Sequence, residues 1–566
     1  MMFRFTGIAL LVILPFLGFS QQYQVLYKQF VAGSHSGDTS VVQLTISGNQ
    51  TVLKSLNDKP ENPIPGLADE VFYVDYKAKR ALRQLSYPNE SFYSEQALDT
   101  LDFEFTDSDK KLLGYNCDKA TISINSNNIE IWFTTDLGLQ TTPVSWLGDF
   151  PGLVLKLVRN GNYILEASEI RALETSEILM PQNPENKLSG RELSQLQKEK
   201  LVFRIPVFTN QQLFWGDTSK IAADFPADTS LHTAGGTLIF KRLSLPDFPD
   251  HYQAFAELTT YSNGDAYDRT GSVFIVPQSE ISFVDALVFG PEKLPAFEGK
   301  DGEVYQGFML TENYKPVVEM LRFFTPFGVG HFNDRVQLAG LNWENEAYYK
   351  QEISDISSEL KGEVIIGVFI GNYDGGGHKI NLDLSFYPGS TSWENRAESQ
   401  QWILPLFNTT NVLEMAGQNY GKLFGSDTLT LDFEVPEGVS NLRLRYISTG
   451  HGGWGGGDEF NPKENQLFID GKLRFVHTPW RGDCATYREL NPVSGNFWNG
   501  MSSSDLSRSG WCPGEATEPV YFNLPDLKAG KHSISVAIPQ GQNQGNSFSF
   551  WSVSGVLIGD KTNSNP

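Results

Sequence analysis

The chain has 566 residues, 44 basic against 67 acidic side chains for a formal net charge of −23, and 40% hydrophobic residues. That acidity argues against DNA or RNA as a partner, since nucleic-acid binders carry a basic footprint. The length exceeds what one hydrophobic core supports, and the composition is that of a folded, turn-rich protein rather than a disordered one.

The first residues, MMFRFTGIALLVILPFLGFSQQ, combine one Arg, an apolar run from Phe5 to Phe19 and small residues ahead of Gln21. This predicts a secretory signal peptide over residues 1–20, cleaved after Ser20. Pro15 and the shortness of the run count against a spanning helix. The expected product is an exported protein without a membrane span, periplasmic or secreted. Export puts all three cysteines in an oxidising compartment. Cys484 and Cys512 share one Trp- and Gly-rich region, so the economical pairing joins them and leaves Cys117 free and buried.

Residues 21–185 hold short alternating segments, among them SVVQLTIS (40–47), EVFYVDY (70–76), NIEIWFTT (128–135) and LVLKLVRNGNYILEASEI (153–170). The last contains an Asn-Gly hairpin signal at Asn160 and Gly161. A β-rich N-terminal domain is expected here, folding on its own. Residues 180–200 turn charged and partly helical, and 186–200 reads as a linker. The strand pattern resumes over 201–387, with TLIFKRLSL, QAFAELTTY, GSVFIV, GEVIIGVFI and KINLDLSFY. A polar linker over 388–402 precedes a last set over 403–562, including LTLDFEV, NLRLRYIS, QLFIDGKLRFVHT, HSISVAI and FSFWSVSGVLI. Many short strands with no repeating helix between them predict an all-β chain: two adjacent eight-stranded antiparallel jelly-roll sandwiches after the N-terminal domain.

Neither HExxH nor paired CxxC occurs, and only eight histidines are present, so no metal is expected. No P-loop or GxSxG elbow is found, and no cofactor is expected. What stands out is the glycine-rich loop GHGGWGGGDEF (450–460), set between two predicted strands, with Asp458 and Glu459 at one end of a sandwich. Carboxylates on such a loop are usually solvated turn residues. The same loop carries His451 and Trp454, however, and SRSGWCPG (507–514) adds Arg508 and Trp511. Aromatic faces and cations beside carboxylates suit a sugar ligand. A second cluster, NGDAYDRTGSVFIV (263–276), places Asp265 and Asp268 around Tyr267 ahead of Arg269; by itself this reads as an Asx-type turn entering a strand.

Together, YDRTGSVFIV, GHGGWGGGDEFNPKENQLFIDG, SGNFWNG (494–500) and RSGWCPG (508–514) resemble the peptide-N-glycosidase F family over about residues 200–560. These are secreted bacterial amidases that remove asparagine-linked glycans. LGDFPGLVLKL (147–157) separately resembles the GLPGLI signature of small exported β domains, and some longer family members carry a bowl-like N-terminal domain. The resemblance implies a metal-free active site in a cleft between two jelly rolls, with N-glycosylated proteins and glycopeptides as substrates. It assigns Asp268 as the acid/base and Glu459 as the carboxylate that orients water and substrate. Tyr267, Arg269, Arg508 and Trp511 match its substrate-binding positions, with His451, Trp454 and Asp458 on the glycine-rich loop. The family's third acidic residue has no counterpart in FIGNYDGGGHK (369–379), where Asn372, Tyr373 and Asp374 are the candidates to replace it. Two other readings use the same residues: an endo-glycosidase, and a jelly-roll protein that binds N-glycans without cutting them. Nothing in the sequence sets the oligomeric state; a monomer is the expectation.

Overall fold

Apolar and polar residues alternate along much of the chain, and the alternation becomes strand: Leu429–Val435 buries Leu429, Leu431, Phe433 and Val435 and exposes the residues between them. The computed structural model describes residues 22–31, 34–35, 41–56, 66–174, 180–216, 225–246, 248, 252–389, 399–452, 456–541 and 548–562. The expected signal peptide, residues 390–398 of the second expected linker, and Trp454 lie outside them. No described helix is long and apolar enough to cross a membrane. The chain divides after Val202 into two compact units.

The first unit is a single 12-stranded antiparallel sheet with Glu90–Ala97 at one edge and Glu104–Leu112 at the other. Its central hairpin, Leu153–Arg159 with Tyr163–Leu173, turns through Asn160 and Gly161, both at positive φ (50° and 71°), as a tight hairpin of matching twist requires. Both faces carry apolar residues. Val25, Leu44, Leu153 and Leu155 pack on one side, and Ile129, Phe133, Phe150 and Val154 on the other. Cys117 is free and buried on the first face.

The expected linker is instead a docked helix, Gly190–Lys200, started by a capping box between Ser189 and Glu192. Leu193 is fully buried, and Arg83 of the sheet donates to Ser194 Oγ (3.0 Å) and Gln197 Oε1 (2.6 Å). The helix belongs to the first unit, so a chain truncated to begin at Phe203 should fold. Its thermal transition should match one of two resolved in the full-length protein by calorimetry.

The second unit contains two sandwiches. In the first, a four-stranded sheet (Phe203–Leu213, Tyr252–Ser262, Ala347–Glu352, His378–Pro388) faces a sheet built from Ser230–Thr233, Leu238–Leu245, Thr270–Val276, Val318–Phe324 and Gly362–Ile370. Among the described residues this makes nine strands where eight were expected. The extra one, Ser230–Thr233, is a half-buried edge too short to show a periodicity. The second sandwich has four plus four: Ser399–Asn408, Phe550–Thr562, Val439–His451 and Val520–Asn523 against Leu429–Val435, Gly530–Ala537, Asn465–Ile469 and Lys472–His477.

The two sandwiches share structure. Ala516–Thr517 of the second pairs with Val318–Phe324 of the first, extending its sheet. Tyr305 and Phe308 from the first enter the core of the second, while Val412 and Leu413 of the second enter the core of the first. Burying such exchanged apolar surface fixes one sandwich against the other, which a site assembled from both requires.

Candidate active site

Asp268 and Arg269 lead into the strand Thr270–Val276, and their loop is pinned from behind by Thr325. Thr325 Oγ1 accepts from Arg269 N (2.8 Å) and donates to Tyr267 O (3.1 Å). Glu459 follows the glycine-rich loop of the other sandwich, where Ser509 N donates to its carbonyl at 2.9 Å. Between the two carboxylates lies Arg508, which is fully buried. Its Nε donates to Glu459 Oε1 at 3.1 Å and its Nη2 contacts Asp268 Oδ2 at 3.4 Å. The rest of the guanidinium is saturated by Ser503 O (2.6 Å), Leu506 O (3.1 Å) and Ser503 Oγ (3.0 Å), and stacks within 5.1 Å of the ring centres of Phe460 and Trp511. A planar fork held this firmly sets the separation of the two acids.

Asp268 and Glu459 both line a pocket of about 340 Å³, together with Arg269, Tyr373, His451 and Trp511. Asp268 keeps 17% of its side-chain surface open to it and Glu459 20%. Burial pushes the Asp268 carboxyl up to about 7, with Arg508 opposing the rise and the nearby Glu459 charge adding to it. Glu459 is also raised by burial, against the pull of Arg508. Two carboxyls this close titrate as a pair, one proton being retained into the neutral range.

The floor of the pocket is held by aromatic stacking and one buried ion pair. Trp511 stacks on Phe324 at 4.1 Å and donates to Gly450 O at 3.0 Å. The disulfide Cys484–Cys512 ties down its neighbour. Replacing both cysteines by Ser should cost about 3.5 kcal/mol by the entropy of the loop released, measured as a lower denaturant midpoint. His451 stacks on Phe550 at 4.8 Å, and burial followed by the charges of Arg322 and Arg508 pulls its pKa down to about 3. Thr449 Oγ1 accepts from Arg322 (3.1 Å), leaving its own hydrogen for His451 Nε2 (2.8 Å), so the imidazole is a neutral, fixed element of the wall. Arg322 is itself paired with Glu319 beneath the site, both fully buried, and reaches across to Ser552 O and Thr410 Oγ1 of the second sandwich.

Three expected residues have other work. Asp458 is fully buried, and its carboxylate accepts from Trp551 Nε1 (2.8 Å) and Gly541 N (3.0 Å); it closes the loop from inside and does not line the pocket. Asp374 Oδ1 accepts from Gly376 N (2.7 Å) and Gly377 N (3.2 Å), shaping its own turn. Arg269, expected at a substrate-binding position, is clamped by Asp265, Nε to Oδ2 at 2.7 Å and Nη2 to Oδ1 at 3.1 Å, while its charge also pulls Asp268 down. Burial would raise the Asp265 carboxyl, yet His378 and Arg269 hold it down at about 2. Arg269 still lines the pocket, lying 5.1 Å from the Tyr267 ring centre and 5.7 Å from that of Tyr373.

Of the candidates for a third polar group, Asn372 is buried, and Tyr373 reaches the pocket. An acid absent from the sequence reading completes this wall. Glu414, on the short turn Glu414–Ala416 of the second sandwich, hydrogen-bonds Tyr373, and burial raises its carboxyl against that bond. No motif surrounds Glu414, and only the packing of the two sandwiches brings it to Tyr373.

The sequence matches family models described as peptide-N-glycosidase F, N terminal (residues 204–386), peptide-N-glycosidase F, C terminal (419–558), and N-glycanase peptide, N-terminal domain (25–194). A solved structure of PNGF-II is 42% identical with a TM-score of 0.82, the match covering 95% of this chain and 99% of that one. A second crystal form of PNGF-II gives 42% identity and a TM-score of 0.78, over 96% of this chain and 99% of that one. Among curated proteins none matches. With all three parts of the sequence matched in order and one relative similar from end to end, the chain belongs to the peptide-N-glycosidase F family.

Proposed function

We propose that this protein is an exported amidase that hydrolyses the bond between an Asn side chain and the innermost N-acetylglucosamine of an N-linked glycan, converting Asn to Asp. The observation that carries the reading is the pair Asp268 and Glu459, contributed by different sandwiches to one pocket and joined by one buried guanidinium. Family membership supplies the reaction class.

Asp268 takes a proton from water as the water oxygen attacks the amide carbon. A carboxyl near pH 7 suits this role, because it is basic enough to accept and acidic enough to return the proton. Glu459 orients the water, and Arg508 offsets the charge of the two acids before attack, which favours the ionised Asp268 that accepts the proton. The proton then passes to the amide nitrogen, the C–N bond breaks, and a glycosylamine departs. His451, neutral and fixed, with the ring of Trp511, presents an apolar face to the sugar. N-glycosylated proteins and glycopeptides are the partners. Incubation with a denatured N-glycoprotein tests the reading: intact glycans should be released, and a protein that binds glycans without releasing them would be a lectin.

A further inference from the structure

Beyond the pocket the chain builds an aromatic step with no role in the reaction just derived. Trp215 is 43% exposed, and its ring centre lies 5.7 Å from that of Tyr373, which is 48% exposed and belongs to the pocket wall. The indole is held in place. Trp215 N donates to Asp374 O (2.9 Å) and Gly216 N to Gly235 O (3.0 Å). One face of the ring rests on Gly235, which sits at φ +68°, and a Cβ there would approach the ring to 3.0 Å. Any other residue at 235 would be strained at that φ and would push the indole by a few tenths of an ångström. The turn containing Gly235, Ala234–Gly236, packs in turn against Glu414–Ala416 of the pocket wall.

We propose that Trp215 is a stacking subsite for a sugar ring of the glycan lying outside the pocket, so that it selects for extended glycans; this rests on the amidase reading. Three observations point to a sugar rather than a peptide. The available surface is a ring face, as the apolar side of a pyranose requires. The backbone groups that could pair with a peptide strand, Trp215 N and Gly216 N, are already used internally. The shelf is continuous, through Tyr373, with Arg269 and Glu414, which offer a charged donor and an acid to hydroxyl groups.

The test compares wild type, Trp215→Ala and Trp215→Phe on two glycopeptides of one peptide sequence, one carrying only chitobiose and the other an intact branched glycan. For Trp215→Ala, kcat/KM on the branched substrate should fall about fivefold, through KM, with chitobiose turnover unchanged and Trp215→Phe in between. An equal loss on both substrates would mark Trp215 as structural and overturn the subsite, as would no loss on either. A loss that follows peptide length instead would make the shelf a peptide site, also against the proposal. Should wild type cleave neither substrate, the amidase reading fails, and fluorescence titration with the free branched oligosaccharide still decides the subsite. Weaker binding by Trp215→Ala supports it, and equal binding overturns it.

Discussion

Asp268→Asn should lower kcat/KM by about 10³-fold, within the range that a positioned acid/base contributes, while the folded state is kept. The substitution leaves the shape of the side chain and removes its capacity to accept a proton. Stability should move the opposite way from activity. The folded carboxyl titrates near 7, above the roughly 3.9 of an unfolded Asp, so the unfolded state binds fewer protons between those values. Ionising Asp268 in place therefore costs stability as pH rises through this window, and the cost is complete above it. Asn has no such cost. Thermal midpoints of variant and wild type should coincide near pH 3 and separate in favour of the variant by pH 8. The wild-type kcat/KM profile should have its acidic limb near neutrality rather than near 4. Glu459→Gln, which removes a charge that raises Asp268, should move the limb of the residual activity to lower pH.

Arg508→Gln should be nearly as damaging to turnover, by about 10²-fold or more, and should also destabilise the fold. Its guanidinium satisfies Asp268, Glu459, two carbonyls and a hydroxyl at once, and a neutral amide cannot replace it. The two acids would face each other without a cation, so their titration moves up and the acidic limb of kcat/KM shifts to higher pH. At pH 8 the loss of stability should be about 3 kcal/mol, and it should shrink toward acid pH as Asp268 and Glu459 take up protons in both proteins. Arg269→Gln distinguishes the two arginines. Because Asp265 rather than Asp268 holds Arg269, whose charge pulls Asp268 down less than that of Arg508, its loss should raise KM and move the limb to higher pH by less than Arg508→Gln does.

The contrast between these arginines shows where sequence reasoning stops. Adjacency suggests that Arg269 serves Asp268, but the side chain turns back to Asp265, and the cation that serves Asp268 comes from the other sandwich. Asp458 and Glu459 are equivalent neighbours in the sequence. In the fold one carboxylate points inward to Trp551 and the other to Arg508, a distinction set by backbone direction and not by composition. Glu414 is a lone acid on a short turn, meaningful only after two distant loops meet. The strand Val318–Phe324 was missed because Glu319 and Arg322 interrupt its apolar run, and their pairing with each other and with the second sandwich is what allows their burial.

Features with local causes were legible. The turns at Asn160-Gly161 and Asp470-Gly471 adopt the positive φ values that these residue pairs favour. Cys484 and Cys512 are joined as their shared region implied. The jelly-roll architecture followed from strand spacing, because each alternation buries one face whatever its partner is. The helix Gly190–Lys200 showed its charge and its partly helical character in the sequence, but neither its capping box nor the role of Arg83 as its docking point was read there.

Hydrolysis of a defined N-glycopeptide in heavy-oxygen water, followed by mass spectrometry of both products, tests the central claim most directly. The amidase account predicts Asp in place of the glycosylated Asn, with one heavy oxygen in its new carboxylate, and a released glycan that retains both core N-acetylglucosamine residues. Recovery of Asn still bearing one N-acetylglucosamine, with the heavy oxygen on the released sugar, would instead make Asp268 and Glu459 the acid pair of an endo-glycosidase and contradict the account.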